Sequence, residues 1–231
     1  MTEDKKRRKE FKLGVSLMVG FLVVLVLLFM PLFNGHNGME YMDNMYNSIS
    51  KGSANYMSEM KEVAQGLEGE SLDYTLKFGS ELQAQRVAVL LAANGAKTSV
   101  QGAQVQMQGD LGELMLGAVS DAKAMYHNEE EAVTQRYDYP GQAAIYNWWT
   151  VTQTLDSQLN KDKRFTAAVE MGRITNRALE VAYNYYGVKP EKIMDQIGIV
   201  LGSLVFYVIY TLWYGFAILF MLEGGGFRLE H

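Results

Sequence analysis

His36, Met39, Met42 and Met45 recur at three-residue steps just after a long apolar stretch, with Met57 and Met60 further along. Imidazole and thioether are the ligands that soft Cu(I) prefers, and a three-residue step keeps such ligands near one side of a helix. The same positions form the apolar side of an amphipathic segment, where methionine is a ready filler of irregular gaps. Packing is the stronger reading, and no metal or other cofactor is expected.

Three further groups carry chemistry-bearing side chains. His127 stands beside Glu129, Glu130 and Glu131, a set suited to acid–base work or a divalent metal, yet carboxylates at a helix start are explained by the helix dipole. Trp148 and Trp149, near Tyr137, Tyr139 and Tyr146, suit a ligand pocket or a partner surface. Adjacent tryptophans on one helix cannot both enter the same core, so at least one of them should meet a second surface. Arg173 and Arg177 lie one helical turn apart and could clamp a carboxylate, though the acidic surroundings favour salt bridges within the domain. The chain contains no GxSxG, no phosphate-cradling glycine loop and no HExxH, and only two histidines precede the tail. Nucleophile, base and metal sets are thus missing, and no enzymatic activity is expected. A carboxylate-only hydrolase is the least supported alternative.

The elements that position these residues are framed by two uncharged apolar stretches, residues 13–33 and 197–222. Each exceeds the roughly 20 residues that a helix needs to cross ~30 Å of hydrocarbon. The first is too long for the apolar core of a signal peptide and lacks a small-residue cleavage pattern, so it is read as an uncleaved anchor. Six basic residues in the tail, from Lys5 to Lys12, outweigh Lys189 and Lys192 before the second stretch and predict a cytoplasmic N-terminus. The expected organisation is a cytoplasmic basic tail (1–12), a first transmembrane helix (13–33), one extracytoplasmic domain (34–196), a second transmembrane helix (197–222) and a short cytoplasmic tail (223–231). The closing Leu229-Glu230-His231, which could be the start of a cloning-vector tag, carries no weight in the functional reading. Residues 34–196 hold 14 Lys and Arg against 21 Asp and Glu, a net of −7, which argues against nucleic acid as a partner. The absence of cysteine removes disulfides and thiol chemistry and suits a bacterial envelope protein.

Within the central segment, apolar spacing predicts one amphipathic helix over 39–67, closed by Gly66 and Gly69. Strict alternation predicts a strand over 71–78, and a weaker one over 99–108 interrupted by Gly102. Ser80 with Gln83 is a capping box opening a helix that stops at Asn94-Gly95, and a further helix is expected over 111–126. Asn128 with Glu131 repeats the capping pattern. After Pro140 a helix should bury Ala144, Ile145, Trp148, Trp149, Thr152, Leu155 and Leu159. A second should bury Phe165, Val169, Gly172, Leu179, Tyr183 and Tyr186, antiparallel to the first across a short connection at 160–162. From Glu191 a helix is expected to run straight into the second span. The fold class is therefore mainly α, with a small β element giving an α+β variant.

The apolar stretches also carry patterns of their own. Ser16 and Gly20 in the first, and Gly198 and Gly202 in the second, are small residues four apart, the spacing that lets helix backbones approach in lipid. Ser203, Tyr207, Tyr210, Thr211 and Tyr214 fall within one arc of the second helix, and tyrosine hydroxyls at mid-membrane need acceptors. In architecture alone, the order of span, domain and span resembles the input half of chemoreceptors and sensor kinases. It departs from them because residues 223–231 leave no room for an output domain. The leading expectation is a non-enzymatic subunit or scaffold of a bacterial envelope complex in the inner membrane, docking a membrane-protein partner or a second copy through its spans. The runner-up is a small-ligand sensor or binding subunit signalling laterally.

Overall fold

The computed structural model describes residues 3–33 and 35–227. In chain order the elements are α1 (Glu3–Phe29), α2 (Gly38–Ser53), α3 (Met57–Gln65), β1 (Ser71–Lys77), α4 (Glu81–Ala93), β2 (Lys97–Gln101), β3 (Gln104–Asp110) and α5 (Leu111–Tyr126). There follow α6 (Glu130–Tyr137), α7 (Gly141–Lys161), α8 (Phe165–Ile174), a π turn (Thr175–Leu179), α9 (Glu180–Asn184), a 3-10 turn (Ile193–Asp195) and α10 (Ile197–Gly225). The fold is mostly helical with one small three-stranded sheet. Leu229-Glu230-His231 lies outside the described residues, as does Asn34, the first residue of the expected extracytoplasmic domain. The chain divides into two compact units: Ser50–Pro190, and the described residues on either side of it.

In the unit formed by the flanking residues, α1 and α10 are both long and apolar enough to cross a membrane. At 1.5 Å per residue, 27 and 29 residues give about 40 Å each, more than the ~30 Å of a hydrocarbon core. The helices run antiparallel, with Phe11 beside Gly224, Gly14 beside Met221 and Phe21 beside Tyr210. Helix α1 ends at Phe29, short of the expected Phe33, because the residue before Pro31 is disfavoured in helical geometry. Phe33 and His36 then exchange backbone hydrogen bonds at 3.0 and 2.9 Å. Asn37 and Glu40 cap α2 reciprocally, at 2.9 and 3.2 Å, which is a capping box with Asn in first place. The helix expected to start at Glu191 begins only at Ile197. The Glu191 amide is instead drawn to the Ser48 carbonyl at 3.0 Å, and a single 3-10 turn separates it from α10.

Ser50–Pro190 encloses the hydrophobic core. The sheet has the order β1-β3-β2 and is antiparallel throughout. Leu72 and Leu76 of β1 and Val105 and Met107 of β3 are buried, as their alternation requires. The weak strand expected over 99–108 is in fact a hairpin, with Gln101 opposite Gln104. Gly102 supplies its turn at φ +56, a conformation that other residues adopt only with strain. The long helix expected over 39–67 is two helices, because Gly52, Ser53 and Asn55 break the run. Ser80 caps α4 as expected, accepting from the Gln83 amide at 3.2 Å. Asn128 does not cap α6: it sits at φ +63, and its side chain is engaged elsewhere. Phe165 and Val169 are exposed, at 57% and 63%. The face that α8 buries is Ala167, Ala168, Met171 and Ile174, whose small residues allow close approach, and the π turn then shifts the register so that Ala178, Leu179 and Ala182 follow it inward.

Candidate functional site

Helix α10 meets α1 through residues that do more than fill space. A Cβ at Gly14 would lie 2.6 Å from the Met221 amide nitrogen and 2.9 Å from the Ala217 carbonyl oxygen, and one at Gly20 would lie 2.9 Å from the Trp213 ring. Gly224 lies against the Phe11 backbone in the same way. Glycine is what permits these approaches. The Trp213 indole donates to the Leu17 carbonyl at 3.0 Å. Tyr210 stacks on Phe21 with centroids 4.2 Å apart, and its hydroxyl donates to the Phe21 carbonyl at 3.4 Å.

The other expected interface residues lie elsewhere on these helices. Ser16 is exposed, and a Cβ at Gly198 or Gly202 would meet nothing within 4 Å. Of the close approaches, Gly20 belongs to the expected pair, whereas Gly14 and Gly224 have no small residue four positions away on their own helices and so escape a small-xxx-small search. Ser203 shares a 2.7 Å hydrogen bond with Tyr46. Tyr207 is 67% exposed and Tyr214 45%. The two are seven residues apart and hence on one side of α10. Tyr214 touches Phe21 through its ring, but among the described residues neither hydroxyl has a hydrogen-bond partner.

In the domain, Trp148 and Trp149 part company. Trp148 is wholly buried and its indole donates to Asp121 at 2.8 Å, so it belongs to the core and not to a surface. Asp121, itself fully buried, also accepts from the Tyr137 hydroxyl at 2.5 Å and from Arg136 at 2.5 Å. Burial pushes its carboxyl above the usual range, against the opposing pull of these donors and the Arg136 charge. The same burial, with the Asp121 charge beside it, raises Tyr137 strongly. The sequence signal was a carboxylate on the apolar side of α5, flanked by Ala118, Ala122 and Met125.

Trp149 is half-buried and lines a cleft of about 370 Å3 with Ile145, Tyr146, Leu179, Glu180, Tyr183 and Asn184. Arg173 and Arg177 are not in its wall. Arg173 bonds Glu170 at 2.7 Å and Glu59 at 3.1 Å, while Arg177 bonds the same Glu59 oxygen at 2.8 Å and covers the Tyr56 ring. Both guanidiniums thus have carboxylate partners within the domain.

His36, Met39 and Met45 stand in different environments. His36 lies 3.4 Å from Glu40, Met39 is 58% exposed and Met45 is buried. Near His127, Glu130 is occupied by the Tyr186 hydroxyl and the Gln142 amide, as dipole-facing carboxylates commonly are.

Lys51 was not legible as a site, yet it is fully buried. Its ammonium donates to the Val188 carbonyl at 2.6 Å, the Tyr185 carbonyl at 2.9 Å and Asn128 Oδ1 at 3.2 Å, and lies 5.1 Å from the Tyr126 ring centre. With neutral acceptors only, desolvation pulls its pKa below the ordinary lysine value.

No family model, no curated protein and no solved structure matches this chain.

Proposed function

We propose that this protein is a membrane-anchored, non-enzymatic subunit that docks a helix of a neighbouring membrane protein, or of a second copy, against the side of α10 bearing Tyr207 and Tyr214. The observation that carries this reading is the pair of unpartnered hydroxyls near the middle of an apolar helix. A hydroxyl in hydrocarbon that lacks an acceptor costs on the order of 2–7 kcal/mol. Tyr210 and Trp213 meet that demand on α1, whereas Tyr207 and Tyr214 have no hydrogen-bond partner among the described residues. Gly198 and Gly202, open to approach on the same helix, offer a second place for close backbone contact.

The basic residues before α1 support a cytoplasmic N-terminus, with both termini inside and Ser50–Pro190 on the outer face of a bacterial inner membrane. Single cysteines in this cysteine-free chain, at Lys5 and at Glu81, test that topology with an impermeant thiol reagent applied to intact cells. Labelling of the Lys5 position and not the Glu81 position would refute it. Docking is tested by purification in mild detergent, with co-purifying chains identified by mass. Tyr207→Phe with Tyr214→Phe should release the partner chain, or the second copy, that the unaltered protein retains. Unchanged assembly would refute this face as the docking site.

A further inference from the structure

The cleft beside Trp149 is not used by helix docking, and its chemistry points to a ligand of its own. Its floor is apolar, since Ile145 and Leu179 are fully buried. Three aromatic rings stand around that floor: Tyr146 and Trp149, stacked 6.1 Å apart at 21°, and Tyr183 from α9. Tyr146 is 49% exposed and Tyr183 42%, so both residues are partly accessible to an incoming group. The π turn inserts its extra residue just before this point, turning Leu179 into the core and setting Glu180 beside Trp149.

Among the described residues, Glu180 is the only charged group in the cleft wall. One of its oxygens accepts from the Trp149 indole at 3.2 Å, and among the described residues no cation pairs with it. A carboxylate set among aromatic rings, whose faces carry the negative part of their quadrupole, favours positive charge, even though the Trp149 indole N–H takes one Glu180 oxygen and the neutral Asn184 amide completes the wall. An anion would be repelled there, and a neutral apolar guest would desolvate the carboxylate without compensating it. A cation clothed in alkyl groups satisfies both the rings and the carboxylate.

We propose that this cleft binds a small organic cation of the alkylated-ammonium class, its charge facing Glu180 and its alkyl groups resting on Tyr146, Trp149 and Tyr183. About 370 Å3 accommodates such a head group, at the lower end of the range for small-molecule pockets. The site stands independently of any contact made by α10.

The test is calorimetric titration of the full chain, in a polyoxyethylene detergent free of sugar or choline head groups, with three probes. These are choline, its neutral isostere in which carbon replaces the quaternary nitrogen, and glucose. Saturable choline binding is expected, weakened about tenfold or more by Glu180→Gln and for the neutral isostere. Tyr183→Ala, at an exposed position that leaves the core untouched, should weaken it as well and serves if the Glu180 variant does not fold. No saturable choline binding, equal binding of the isostere, or binding of glucose alone would overturn the proposal.

Discussion

The ammonium of Lys51 donates to the carbonyl of Val188 at 2.6 Å, joining the first residues of the Ser50–Pro190 domain to its last. The bond is not isolated. Asn128 accepts from Lys51 through Oδ1 and donates through Nδ2 to the same Val188 carbonyl at 3.1 Å, while the Tyr126 hydroxyl donates to the Lys51 carbonyl. The two ends of the domain are therefore closed on each other by a charged donor that contributes three hydrogen bonds at once. Lys51→Met retains much of the stem and deletes every one of those bonds. The expected cost is about 2 kcal/mol or more, since hydrogen bonds from charged donors are worth about 1.5–3 kcal/mol each and water recovers part of the loss. Hydrogen exchange at the amides of Tyr185 to Val188 should accelerate selectively; unchanged protection there would show that the clasp is not what orders this segment.

Asp121 collects Arg136, Tyr137 and Trp148 in the core, and each donor is satisfied by it. Asp121→Ala removes the acceptor and leaves an indole, a phenol and a guanidinium to find others. Arg136 is 42% exposed and water can take up its charge, but the Tyr137 and Trp148 donors are buried and cost about 1–3 kcal/mol each when left unsatisfied; Asp121→Asn, which keeps an acceptor oxygen, should cost less. Denaturant unfolding gives the ranking, and near-UV circular dichroism follows the loss of fixed packing at Trp148. Equal stability of the two variants would contradict the assignment of Asp121 as the shared acceptor.

What the sequence disclosed and what it hid follow one division. Local, periodic features were legible: the two apolar helices, the alternation of β1, the Ser80 cap and the buried side of α7. Features made by partners far apart in the chain were not. Lys51 bonds the carbonyls of Tyr185 and Val188, and a carbonyl has no residue type to search for. The Gln-rich hairpin of β2 and β3 read as one weak strand because few apolar residues mark its inward side, and only Gly102 betrayed the turn. Helix α8 buries Ala167, Ala168, Met171 and Ile174 in place of Phe165 and Val169, a face that hydrophobicity alone would not select, and the π turn then carries the buried side on to Ala178, Leu179 and Ala182. Among the candidate site residues, Trp149 was legible as the tryptophan facing outward only as one of two choices, because adjacent positions on α7 differ by about 100°.

Tyr139 provides a pH-dependent signature of the same core. Its hydroxyl donates to the Arg86 carbonyl at 3.2 Å, and burial raises its pKa from 10.0 to about 12. In the unfolded chain this phenol ionises near 10, while in the folded domain it stays protonated. The folded state thus holds the proton more tightly, its full contribution is present below pH 10, and stability falls as pH rises from 10 toward 12. Two pKa steps correspond to about 2–3 kcal/mol. Tyr139→Phe should flatten that part of the alkaline decline in denaturant midpoint, and an unchanged slope would assign the decline to other groups.

The pairing of α1 with α10 and the docking of a partner use different residues, so single substitutions should separate them. Gly14 admits no Cβ without displacing the Met221 backbone, whereas Gly198 and Gly202 face open space. The chain has no cysteine, so a pair introduced at Phe11 and Gly224, where a Cβ at Gly224 would lie beside the Phe11 Cβ at 2.7 Å, reports on helix proximity through oxidative cross-linking. Gly14→Leu should reduce that cross-link severalfold, because a bulky side chain at the contact forces the helices apart. Gly198→Leu and Gly202→Leu should leave it unchanged while lowering the yield of any co-purifying chain. If Gly14→Leu cross-links as well as the parent pair, the close approach is not what holds these helices together, and the unpartnered tyrosines would no longer define an outward side of α10.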